Sequence, residues 1–351
     1  MQQKLKQGVK LLREDGTLAQ AGYSNEFIVE YNRENIRRSQ SDVREWDYHL
    51  ALEEAYALGI SVASVGNGSR VSLHFMDFEE GQDICETDFV PSPIPVPRDP
   101  FGDVSFRSSR SEGTYIRKGN TTFIRLSMKD FGGVKGRNIS GLLQFTVPKT
   151  DKMVLVVPYE DDPELFYYNY KVNCMSVVGF VEIGERIFRF TEDNCSGTND
   201  WGRGIWKPVN QWYWASASGR LGGELFGFNV GHGFGDTSRA TENMIFYGGV
   251  CHKLEEVTFH IPGDRIGDLK LILPDENYLK PWTFVSGDGR LDMEFIPLYD
   301  RQSGVQGEEY FSMQHQVFGH FNGKAVLDDG TVLEFHDFLG FAEKVGNDWR
   351  R

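Results

Sequence analysis

Apolar and polar residues alternate in short runs along most of this chain, and the runs are separated by glycine, asparagine and aspartate. In Arg70–Phe78, Val71, Leu73 and Phe75 share one side while Ser72 and His74 share the other, the period-two pattern of a half-buried strand. Ile60–Val65 reads the same way. The loop Gly66–Ser69 between them predicts a hairpin. Further strands are predicted over Gly113–Lys118, Thr121–Met128, Gly141–Pro148 and Met153–Pro158. After the acidic, proline-containing stretch Tyr159–Phe166, strands recur over 167–183, 186–191, 212–219, 225–231, 243–249, 251–261, 268–273, 282–300 and 315–345. Tight-turn pairs punctuate them at Gly184-Glu185, Gly248-Gly249, Asp288-Gly289 and Asp329-Gly330.

One stretch is ambiguous. Residues 44–57 carry the Leu-Ala-Glu-Glu-Ala composition of a helix, yet Trp46, Tyr48, Leu50 and Leu52 alternate, and Trp46–Glu53 is assigned to a strand. Val90–Pro100 holds five prolines and is neither helix nor central strand. It is expected to cross one end of a barrel or sandwich. Residues 1–40 are polar and read as a lead-in of short strands or a loosely packed arm. With no sustained helical period, the prediction is an all-β fold of antiparallel barrels or sandwiches. The similar strand rhythm of the two halves points to two barrels packed side by side, residues 1–160 and 161–351.

Composition narrows the function classes. A chain of 351 residues supports two cores. The net charge of −14 disfavours a nucleic-acid partner. Cys85, Cys174, Cys195 and Cys251 show no metal-site spacing and read as buried thiols in a reducing compartment. The basic N-terminus lacks the apolar run of a signal peptide, and no segment has the roughly 18 apolar residues of a membrane span. The expectation is a cytoplasmic protein without a membrane span; its oligomeric state is left open.

Candidate chemistry centres on Thr198–Gly219, which holds four of the 7 tryptophans: Trp201, Trp206, Trp212 and Trp214. Trp212 and Trp214 fall on one face of a strand and Tyr213 on the other. Asp200 and Arg203 are expected as an acid–cation pair on a glycine-rich turn beside that indole wall. Lys171 lies in a strand too apolar for a casual lysine; it either reaches solvent or points into a polar cavity. Glu242 shares a face with Met244 and Phe246. Lining an apolar cavity, it would be an acid with a pKa raised by desolvation; paired with Arg239 or Lys171, it would stay charged. Asn173, Asn243 and His252 are the remaining polar candidates for ligand contact. The histidines form no HxH or HExxH motif, and the loop around His232 is not a phosphate loop, since neither a helix nor a Lys-Ser/Thr follows. No metal and no cofactor is expected. Aromatic walls with a few convergent polar groups suit a small-molecule ligand or substrate.

The run Asp200–Gly219, with the segments beginning at Lys171, Thr241, Trp282 and His315, resembles the signature of a bacterial domain-of-unknown-function family, number 2804 in its series. That family is distantly similar to lipocalin-like carotenoid hydratases, tocopherol cyclases and stress-survival proteins. The resemblance implies two lipocalin-like barrels. In the hydratases an acid in an Asp/Asn/Gly turn before a Trp-x-Trp strand protonates an alkene, and Asp200, ahead of Trp212-Tyr213-Trp214, is the position that would inherit the role. Arg203 departs from that pattern, because an ion pair with it would favour the carboxylate over the acid.

Three functions follow as expectations. The first is a hydratase, isomerase or cyclase acting on an unsaturated or cyclic molecule without a cofactor, with Asp200 or Glu242 as the acid and Lys171 and Arg203 orienting substituents. The second is a lipocalin-like carrier or sensor of an apolar ligand. The third is a carbohydrate-active protein, favoured if the two carboxyls stand roughly 5 to 9.5 Å apart across an open cleft. The pocket is expected in, or at the mouth of, the second barrel.

Overall fold

The computed structural model describes residues 2–66, 68–90, 93–265, 273–307 and 311–350. The first sheet contains β1 (Gly22–Ser24), β2 (Arg44–Glu53), β3 (Tyr56–Val65), β4 (Gly68–Asp77) and β5 (Gln82–Val90). It continues through β6 (Val104–Arg107), β7 (Ser111–Lys118), β8 (Thr121–Met128) and β9 (Ile139–Thr146). It is completed by β10 (Met153–Pro158), β11 (Phe166–Ile183), β12 (Arg186–Phe190) and β13 (Cys195–Ile205). The second sheet contains β14 (Val209–Leu221), β15 (Glu224–His232), β16 (Met244–Tyr247), β17 (Val250–Lys253) and β18 (Val257–His260). Its remaining strands are β19 (Trp282–Ser286), β20 (Leu291–Gln306), β21 (Phe311–Val326) and β22 (Val332–Asp348). The only α-helix among the described residues is the single turn α1 (Asp275–Tyr278), and none is long and apolar enough to cross a membrane.

The protein is all-β, with two lipocalin-like antiparallel sheets side by side, one nearly closed into a barrel and the other a half-barrel. Within the first sheet the order β4-β3-β2-β13-β11 places β2 between two partners, and within the second the order is β15-β14-β22-β21-β20. That central position settles the ambiguous stretch. Alternate side chains of β2 go to opposite faces, so Leu50 and Leu52 pack toward the second sheet while Ala51 enters the first core. Pairing on both edges outweighs the helical propensity of its alanines and glutamates.

Two expectations meet a different arrangement. The stretch 159–166 falls inside the first sheet as the connection between β10 and β11, which pair with each other; the chain passes to the second sheet between Ile205 and Val209. Thr198–Ile205, expected as a glycine-rich turn, is strand β13, paired along its length with β2 and β11. Its glycines serve close packing instead. A Cβ on Gly202 would stand 2.0 Å from the Trp46 indole. The strand expected over 268–273 lies, apart from Leu273, outside the described residues.

Each sheet encloses its own apolar core. Three smaller clusters join the two sheets, uniting Leu50, Leu52 and Met76 with Trp214, Phe318 and Phe341, Tyr167 with Phe234, and Met153 with Met244 and Phe246. A β-bulge between Val172 and Met175 shifts the register of β11. There Cys174 takes a left-handed φ of 58°, and the following residues, Met175 and Val177, turn into the first core.

Candidate functional site

The pocket lies between the sheets, not in the mouth of the second. Both sheets present a cross-strand row of side chains to a cavity of about 330 Å³. On the first sheet, register aligns Lys171 (β11), Asp200 (β13), Tyr48 (β2), Ser61 (β3) and Ser72 (β4). On the second, Trp214 (β14), Glu343 (β22), Gln316 (β21) and Arg301 (β20) line up. All nine line the cavity. Residues directly opposite in neighbouring strands stand about 5 Å apart, so an unbroken register converts a sequence pattern into a continuous polar track.

At one end, Lys171 lies between two acids. Its Nζ is 3.7 Å from Asp200 Oδ2 and 3.3 Å from Glu242 Oε2, and it sits 3.9 Å from the centre of the Trp214 ring. All four side chains are buried. A lysine can be held here because its charge meets two carboxylates and an indole face. Asn169 fixes Asp200 by donating from Nδ2 to Oδ1 at 2.6 Å. Asn229 fixes the opposite wall: it accepts from Trp214 Nε1 at 2.6 Å and donates to the Glu242 carbonyl at 2.7 Å. The Glu242 carboxyl passes over Gly231, where a Cβ would lie 2.8 Å from its Cδ. Burial, followed in size by the opposing effect of Lys171, raises the Glu242 pKa above the ordinary carboxylate value.

Glu343 stands in the middle of the second row. It accepts from Trp212 Nε1 at 2.7 Å and from Gln314 Nε2 at 3.1 Å, and burial raises its pKa as well. Beyond it, Gln316 Oε1 accepts from Arg301 Nε at 3.1 Å and Gln316 Nε2 donates to the Tyr48 hydroxyl at 3.4 Å. Along the strand direction the polar rows give way to an aromatic wall of Trp46, Tyr167, Trp206, Trp212 and Phe234. Tyr167 and Trp212 stack on Phe234 at 4.5 and 5.2 Å, and Trp206 meets it edge-on at 5.3 Å.

Of the residues singled out in the sequence, Lys171, Asp200, Glu242, Trp206, Trp212 and Trp214 come together here. The others point elsewhere. Trp201 and Arg203 fall on the far face of β13, because they lie one and three positions from Asp200 and side chains alternate between faces. Arg203 therefore does not pair with Asp200. Its Nε is 3.6 Å from Glu45, it donates to the carbonyls of Trp46 and Pro97 at 2.7 and 3.0 Å, and it stacks over Trp201 at 3.9 Å. Burial lowers its pKa to about 9. Asn173, carried across by the bulge, donates to Ser216 Oγ at 2.8 Å and to the Phe228 carbonyl at 3.1 Å, bolting the sheets together. Asn243 accepts from the Gly231 amide at 2.8 Å, and the His252 ring nitrogen Nδ1 lies 3.2 Å from Asp328 Oδ2. The four cysteines are free thiols.

Glu343, Arg301, Gln314, Gln316, Tyr48 and Asn169 were not anticipated. Glu343 carried a readable signal, since it shares the face of Leu339, Phe341 and Val345, as Lys171 shares an apolar face. Arg301 carried none: a bulge between Pro297 and Tyr299 resets the register of β20.

Comparison with known proteins places the chain. Residues 2–349 match the family described as Domain of unknown function (DUF2804), and the chain belongs to it. No curated protein matches it in sequence. Among solved structures, CghA superposes with a TM-score of 0.57 at 13% identity, covering 98% of each chain. The crystal structure of CghA with Sch210972 gives 0.56 at 13% identity, over 98% of this chain and 97% of that one. An AttH candidate from Nitrosomonas europaea gives 0.53 at 12% identity, over 88% of this chain and 93% of that one. At these identities the likeness is one of fold.

Proposed function

We propose that this member of the DUF2804 family is an acid–base enzyme acting on a small cyclic or unsaturated molecule held between its two sheets. The observation that carries the reading is the Asp200–Lys171–Glu242 cluster facing Glu343 across a cavity walled in part by aromatic rings. Buried charges of this kind are costly in a purely structural role, and paired carboxyls in unlike environments are the usual means of acid–base work near neutral pH.

In this reading Glu343 is the acid. It has no cationic partner within ion-pair distance among the described residues, and burial favours its protonated form. Its proton passes to a substrate carbon, and the positive charge that develops faces the indoles of Trp212 and Trp206. Asp200 or Glu242 then takes a proton from a neighbouring carbon, which gives isomerisation or ring closure, or from an attacking water, which gives hydration. Lys171 holds the two acids in place. One ammonium touches both, so they flank a cation and leave no space for a glycosidic bond between them; this disfavours the carbohydrate reading. The neighbour crystallised with Sch210972 is in keeping with a small-molecule ligand.

The test is incubation with small-molecule extracts in D₂O, read by mass spectrometry. A protein-dependent product carrying a carbon-bound deuterium is expected, and Glu343→Gln should lower its rate by about 10²–10⁴-fold. Retention of a molecule without any deuterium uptake would instead favour the carrier reading.

A further inference from the structure

Arg301 is only 2% exposed, and its Nη1 has no hydrogen-bond partner among the described residues. Its Nε is satisfied by Gln316, and the guanidinium lines the cavity at the end of the second row. Three strand spacings, about 14 Å, separate that end of the row from its other end at Trp214. A buried guanidinium normally faces a carboxylate. Here no carboxylate lies within ion-pair distance among the described residues; the exposed Asp83 stands behind the Cys85 thiol, accepting from its Sγ at 3.0 Å and from the Tyr299 hydroxyl. Burial pushes the Cys85 thiol beside Arg301 up to about 12. Burial, followed in size by Arg301 itself, holds His74 well below the usual histidine value, so its ring is neutral at pH 7. Burial likewise raises Tyr48 above the usual tyrosine value. Glu343 acts on Arg301 electrostatically but forms no ion pair with it among the described residues; its oxygens accept from Trp212 and Gln314.

We infer that the molecule bound in this cavity carries a carboxylate, that Arg301 receives it, and that its apolar ring system lies against Trp46, Trp206, Trp212 and Phe234. The inference deepens the reading of the cavity as a small-molecule site and is independent of whether the carboxyl groups catalyse anything. A planar guanidinium with a free Nη1 matches a carboxylate in shape as well as charge. A phosphate, with its greater charge, would call for more cations than this end of the cavity supplies. Ser61 and Ser72, on the facing row, bring two hydroxyls to the same region.

Two measurements decide it. A library of cyclic carboxylic acids, each matched with its own primary amide, is screened by thermal shift and titrated by tryptophan fluorescence. The native protein should bind its best acids at least about tenfold more tightly than the matching amides, and Arg301→Met should abolish that preference. Equal binding of acids and amides, no binding of any acid, or a preference that survives in Arg301→Met would each overturn the inference. The ligand-free protein gives the second measurement. If the guanidinium awaits an anion, Arg301→Met removes an uncompensated buried charge and the melting temperature rises by about 2 °C or more. An unchanged or lower melting temperature would make Arg301 a structural residue and overturn the assignment. Neither measurement reads turnover, so failure here is distinguishable from failure of the acid–base mechanism.

Discussion

At the scale of the residue, the central fact is that one lysine holds two buried acids. Without its ammonium, Asp200 and Glu242 would face each other across an apolar wall. Lys171→Met should therefore cost about 3–5 kcal/mol of stability at pH 7. The deficit should shrink as the pH falls. Glu242 already has a raised folded-state pKa, so the native chain holds that proton more tightly than the unfolded chain does. The resulting stabilisation is present at low pH and is lost as pH rises from the ordinary carboxylate range through the raised value. Lys171 is what restrains that rise, so its removal steepens the loss. Denaturant titrations at pH 5 and pH 7 would show this; an equal deficit at both would mean that the lysine does not hold the two acids. Lys171 and Glu242 were legible in the sequence because each interrupts an apolar face. Asn169 was not, because a buried asparagine bonded to a carboxylate is identical in sequence to one bonded to solvent.

At the scale of the element, β11 has two jobs, and the bulge at Val172–Met175 divides them. Before it, Tyr167, Asn169 and Lys171 face the second sheet; after it, Met175 and Val177 fill the first core. Asn173, at the crossover, ties β14 and β15 to the first sheet through Ser216 Oγ and the Phe228 carbonyl. Asn173→Ala should lower stability by about 2–3 kcal/mol, since it leaves buried acceptors unpaired, and should do so with the fold retained. Far-UV circular dichroism and thermal melting would measure it, and a loss below about 0.5 kcal/mol would show that the contact is incidental. A strict alternation places Lys171, Asn173, Met175 and Val177 on one face. One inserted residue in the ladder breaks that rule, and no residue type announces it.

At the scale of the whole molecule, the two sheets are the two walls of one cavity. Their apolar faces interlock through three shared clusters, and neither wall of the cavity is complete without the other sheet. Calorimetry should accordingly show one unfolding transition with van't Hoff and calorimetric enthalpies equal; two resolved transitions would mean that the sheets unfold independently. The same arrangement explains why the pocket was expected in the second barrel. Most of its tryptophans lie near the point where the chain leaves the first sheet for the second, and sequence proximity assigned to one barrel what belongs to the seam between two.

The sequence by itself determined the all-β class, most of the strands, the family, and the acids, lysine and indoles that meet in the cavity. These follow from local quantities: period, propensity, turn chemistry, and a charge placed in an apolar register. Tertiary structure alone decided that Arg203 turns away from Asp200, that Glu343 and Arg301 join from strands about a hundred residues distant, and that the pocket forms between the sheets. Those outcomes depend on register between strands far apart in the chain, where a one-residue shift moves every side chain to the opposite face.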